Sequence, residues 1–80
     1  MKELKEKMNN LNNTVKEGIR LLYEEGIKSY NNKNYMTGLQ LLRNALKLCF
    51  IYEEYQYYKD IDKLITQCEI EMIKKDKESI

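Results

Sequence analysis

The sequence of 80 residues contains no histidine, no proline and no tryptophan, and only three glycines and two cysteines. Each absence closes a class of function. Without histidine the chain lacks the side chain most often used as a general base and as a transition-metal ligand. The two cysteines lie 19 positions apart, which supplies neither a disulfide framework nor a paired zinc-ligand set. Fourteen basic residues against thirteen acidic ones leave a net charge of +1. That balance argues against nucleic acid, which calls for a basic excess on one face. No run approaches the ~18 consecutive apolar residues of a membrane span. The charged start, Met1-Lys2-Glu3-Leu4-Lys5-Glu6, lacks the apolar core of a secretory signal. A single small domain of a reducing compartment is expected, burying ~60–65% of the surface its unfolded chain exposes.

What is abundant is asparagine, lysine, isoleucine and tyrosine; alanine occurs once, at Ala45. The doublets Asn9-Asn10, Asn12-Asn13 and Asn31-Asn32 read as solvated filler rather than as a recognition code.

Apolar positions at Leu11, Val15, Ile19, Leu22, Gly26 and Tyr30 are three and four apart, one face of an α-helix. Thr14 and Glu17 form a capping box, and Asn31-Asn32-Lys33-Asn34 is a polar stop. Helix one is therefore expected from about Thr14 to Tyr30. Residues 1–13 are a charged lead-in or a helical extension, with Leu4 and Met8 continuing the spacing. Helix two, from Tyr35 to about Tyr52, is apolar on two faces: Leu39, Leu42, Leu46, Cys49 and Gly38, Leu41, Ala45, Leu48, Tyr52. An arc that wide needs a neighbour on each side. Helix three, from about Tyr55 to Asp76, carries one stripe at Ile61, Leu64, Ile65, Cys68 and Met72. No glycine or proline follows Gly38, so the break near Tyr52–Tyr58 has no local signal. It is expected because one unbroken helix would leave two apolar faces without partners. The fold class read from these patterns is all-α, an antiparallel three-helix bundle over residues 14–80.

Helices one and two carry a hairpin that resembles a tetratricopeptide repeat. Leu22 stands at the usual tryptophan, Gly26 and Gly38 at the small crossing residues, and Tyr35, Leu42, Ala45 and Leu46 at later pattern positions. Ser29, Glu25 and Phe50 depart from the pattern. The repeat does not recur, because Asp60 and Met72 stand where small residues would be needed. A hairpin of this kind followed by one further helix resembles the microtubule-interacting and transport (MIT) domain. The turn and second helix, Asn32-Lys33-Asn34-Tyr35 with Gly38, Leu39, Leu42, Ala45 and Leu46, carry that resemblance.

The resemblance implies a docking module for short helical motifs in the C-terminal tails of ESCRT-III subunits. Such a module would be cytoplasmic, a monomeric domain or part of a larger protein, and recruited to endosomal membranes through its partners. It implies a groove between helices two and three, lined by Leu48, Tyr52, Ile61, Leu64, Ile65, Cys68 and Met72. Lys59, Lys63 and Glu71 would form its rim. An amphipathic helix would enter it by its apolar anchors. A TPR-like adaptor or co-chaperone fragment, and a structural subunit of an assembly, are the alternative classes.

No catalytic constellation is found, so neither an enzyme nor a cofactor is expected. Glu24-Glu25 and Glu53-Glu54 are sequence neighbours and diverge on a helix. Gly18, Gly26 and Gly38 form no phosphate loop, and Asp60-x-Asp62 lacks the other ligands of a calcium loop. Cys49 and Cys68 fall on inward faces as small hydrophobes. Among the clustered tyrosines, Tyr52 and Tyr55 fit inward positions, leaving Tyr57 or Tyr58 partly exposed.

Overall fold

The computed structural model describes the backbone of residues 2–78 and the side chains of residues 13–77. Its elements are α1 (Lys2–Asn31), α2 (Tyr35–Ile51) and α3 (Tyr58–Glu78), with no strand among the described residues. α2 packs against both neighbours, whereas α1 and α3 meet each other at only a few residues. The wide apolar arc of α2 is thus spent on two partners, as its sequence requires, and the chain is an all-α three-helix bundle.

α1 does not begin at Thr14. It is helical from Lys2, so the Thr14–Glu17 capping box is not a helix start. Between Lys2 and Glu17 there is no proline or glycine, and lysine, glutamate, leucine and methionine all favour helix. Nothing there stops the backbone. The expected continuation of the stripe through Leu4, Met8 and Leu11 concerns side chains outside the described residues.

Both inter-helix turns use one device. After α1, Lys33 adopts φ 65°. Its N–H donates to the Tyr30 carbonyl at 3.0 Å and the Asn34 N–H to the Ser29 carbonyl at 2.8 Å. This is a Schellman ending, which satisfies carbonyls the helix would leave unpaired. After α2, Glu53 adopts φ 53° and the Glu54 N–H donates to the Cys49 carbonyl at 2.9 Å. Left-handed positions usually select glycine. Here a lysine and a glutamate hold them, which is why the second break leaves no trace in composition.

The core comprises Ile19 of α1, Leu39, Leu42, Ala45 and Cys49 of α2, and Ile61, Ile65 and Cys68 of α3. No polar or charged residue is buried among the described residues. Each large aliphatic side chain buried this way contributes roughly 1.5–3 kcal/mol. Gly26 and Gly38 sit at the helix crossing. A Cβ on Gly38 would lie 3.4 Å from the Gly26 carbonyl oxygen and 3.6 Å from Cys68 Sγ. Gly38 therefore marks where α2 is pressed by α1 on one side and α3 on the other.

Candidate functional site

Two turns in succession make α1 and α3 run in the same direction, each packed on α2. The side chains confirm the register. Tyr23 of α1 lies against Tyr57, the turn residue just before α3, ring centroids 5.8 Å apart, and Lys16 Nζ is 3.9 Å from Glu54 Oε2. Because α1 and α3 touch so little, a shallow hollow of about 240 Å³ remains between them. Tyr23 and Ile27 form its α1 wall; Asp60, Lys63, Leu64 and Gln67 form its α3 wall. Tyr23, Ile27 and Leu64 are half-buried and supply the apolar floor. Burial, with the nearby Asp60 charge, pushes the Tyr23 phenol above its ordinary value. On the α1 side, Arg20 is held by Glu17 and by Glu24, the latter at 2.6 Å.

The groove expected between helices two and three is closed where three of its residues were placed. Ile61, Ile65 and Cys68 are 0%, 7% and 0% exposed and belong to the core. They cannot line an open groove because the wide arc of α2 takes up that stripe. Leu48 and Met72 are half-buried and pack on the core. Tyr52 and Lys59 are exposed near the α2–α3 loop, and Glu71 pairs with Lys74 at 3.5 Å near the end of α3. Of the expected set, Lys63 and Leu64 line the hollow between α1 and α3, while Met72 lines one of about 310 Å³ between the start of α2 and the end of α3 and Glu71 lines a third beside Tyr35. Tyr23, Ile27, Asp60 and Gln67 were missed. Their signal was the spacing Ile19, Tyr23, Ile27, which widens the apolar arc of α1 to one side of its main stripe.

Tyr52 and Tyr55 do not point inward, while Tyr57 and Tyr58 are, as expected of one of them, partly exposed. Tyr52 and Tyr55 are 45% and 52% exposed, while Tyr57 and Tyr58 are half-buried. The left-handed residue Glu53 resets the helical phase, so periodicity read through the break points the rings the wrong way. Tyr58 instead stacks edge-on with Phe50 at 5.3 Å and with Tyr55 at 6.0 Å.

Cys49 and Cys68 are free and buried, and burial raises both thiols above their ordinary value. A thiol held protonated is a poor nucleophile. The adjacent glutamates diverge as helical geometry demands: Glu24 meets Arg20, and Glu25 meets Lys28 at 3.4 Å. Among the described residues no cluster of histidine, cysteine or carboxylate side chains could hold a metal ion. No helix among them is long and apolar enough to cross a membrane. No family model, no curated protein and no solved structure matches this chain.

Proposed function

We propose that this chain is a non-catalytic protein-interaction domain that docks short helical segments of partner proteins. The observation that carries the reading is the hollow between α1 and α3, with its Tyr23, Ile27 and Leu64 floor and its charged rim of Asp60 and Lys63. An amphipathic helix places apolar side chains at the spacing such a floor accepts. With a net charge of +1, the chain would hold its partner mainly by apolar shape. The MIT-like anatomy makes ESCRT-III tails the first partners to test, and with them a trafficking adaptor role in the cytoplasm, at endosomal membranes.

The test is a titration of the isotope-labelled chain with ESCRT-III tail peptides, read by backbone NMR shifts. Shifts centred on Tyr23, Ile27, Leu64 and Gln67 are expected. Absence of shifts with every tail would remove the ESCRT-III assignment, and shifts confined to another face would remove the groove.

One observation favours a second reading, a subunit of a permanent assembly. Phe50, Ile51, Tyr52 and Tyr55 are each 45% or more exposed around the end of α2. Sedimentation separates the two: a monomer at micromolar concentration supports docking, an obligate oligomer supports assembly.

A further inference from the structure

α1 outruns the helix it packs against. With 30 residues against 17, α1 is about 45 Å long and α2 about 25 Å, so roughly 20 Å of α1 has no α2 beside it. The 3.9 Å approach of Lys16 to Glu54 fixes which part this is: the α2–α3 turn lies level with Lys16, and residues 2–14 project beyond it. The molecule is accordingly 63 Å long but 18 and 14 Å in its other dimensions. The face of α1 turned to α2 is marked by Gly26, which opposes Leu42, and by Val15 and Leu22, which pack on the core. Helical register places Leu4, Met8 and Leu11 on that same face. The stripe that α2 covers therefore continues past the end of α2. A helical segment of this length draws most of its stability from packing an apolar face. Where α2 stops, Ile51 and Tyr52 are 60% and 45% exposed.

Deepening the assembly reading above, on which this rests, we infer that residues 2–14 pair with the same segment of a second copy, antiparallel and about a two-fold axis. The partner's segment then runs in the direction of α2, in line with it, and takes up the α1 face where α2 leaves off. Three features select this occupant. The spacing Leu4, Met8, Leu11, Val15 alternates four and three, the heptad seam of paired helices. That seam is self-complementary when reversed: Leu4 falls opposite Val15 and Met8 opposite Leu11, as a two-fold interface requires. Charge selects the direction. Parallel pairing would set Lys2, Lys5 and Lys7, which outnumber Glu3 and Glu6, beside their own copies. Antiparallel pairing brings them to the partner's α2 end, where the last turn has no basic residue and Glu53 is exposed. The α1–α3 hollow stays open, because Tyr23, Ile27 and Gln67 lie clear of the paired segment.

The test is sedimentation equilibrium of the full chain over a roughly hundred-fold range of concentration, where mass action reports the pairing. A reversible equilibrium of monomer and dimer is expected. Met8→Asp enters a two-fold interface twice and should weaken the dimer about a hundred-fold. Ile51→Asp, at the α2 end, should weaken it about ten-fold. Leu21→Asp, at a 48% exposed position on the opposite side of α1, should leave it unchanged. The unaltered chain supplies an independent measurement. In a mixture of isotope-labelled and unlabelled copies, filtered NOEs should join Leu4 to Val15 and Met8 to Leu11 of different molecules. Contacts of Leu4 with Leu4 between copies overturn the inference. So does a dimer that survives Met8→Asp or that Leu21→Asp dissolves, and either result leaves the assembly reading standing. A chain that stays monomeric throughout overturns both.

Discussion

A Cβ added to Gly26 would lie 2.7 Å from both Cγ and Cδ2 of Leu42, whose side chain is fully buried. Two carbons cannot share that space, and Leu42 has no free volume to retreat into. Gly18, on the same helix, has nothing within 4 Å of the corresponding point.

These two glycines should therefore respond to alanine with opposite signs. Gly18→Ala should stabilise the chain by roughly 0.5–1 kcal/mol, the ordinary helical gain. Gly26→Ala should destabilise it by about 1–3 kcal/mol, because overpacking outweighs that gain. Urea unfolding followed by circular dichroism decides the signs. Stabilisation by Gly26→Ala would mean that the crossing is looser than described.

The left-handed residues make a prediction of the opposite kind. Lys33 and Glu53 hold φ values of 65° and 53° that cost an L-residue roughly 1–2 kcal/mol. Lys33→Gly and Glu53→Gly should each raise stability by up to about 1 kcal/mol, after the greater entropy of glycine in the unfolded chain is deducted. The melting temperature is the measurement. A fall on Glu53→Gly would count against the ending described for α2.

Groove and core can be told apart by a pair of neighbours on α3. Ile61 is fully buried, and Ile61→Ala should cost roughly 2–4 kcal/mol of stability. Leu64 is half-buried in the wall of the hollow. Leu64→Ala should cost about 1 kcal/mol, the lower end expected for a partly exposed site, while weakening helix docking about ten-fold. Calorimetry of folding and of peptide binding on both variants provides the comparison. Equal loss of stability in the two would place Leu64 in the core.

The buried thiols set an alkaline limit. Cys49 and Cys68 have folded pKa values above the ordinary 9.0, because burial disfavours the thiolate. The unfolded chain releases these protons near 9 while the folded chain keeps them, so the unfolded state is favoured as pH rises past that point. Their stabilising effect is complete below pH 9 and declines above it. Tyr23 and Tyr35, also raised, extend the decline above their ordinary 10.0. Urea midpoints measured from pH 7 to pH 10 should fall at the upper end, and less steeply in a Cys49→Ala/Cys68→Ala variant. Identical slopes would show that the thiols take no part.

The number of helices and their inward stripes were legible in the sequence, because helical period and burial are a local pattern repeated over many residues. Ile19, Leu42, Ala45, Ile61 and Cys68 could each be placed inside from spacing alone. The Gly26–Gly38 crossing was legible too, since small residues are needed where backbones approach. The site was not. Whether Ile61 and Ile65 line a groove or fill a core depends on how much of the α2 arc meets α3, and no property of α3 by itself contains that. The long start of α1 was obscured by a capping box that its backbone does not use. Tyr55 was misplaced because one left-handed glutamate shifts the phase of everything after it. Local pattern thus determined which faces of each helix are apolar. Only the packing of the helices decided which of those faces stay open, because an open surface is what remains after every partner has taken its share.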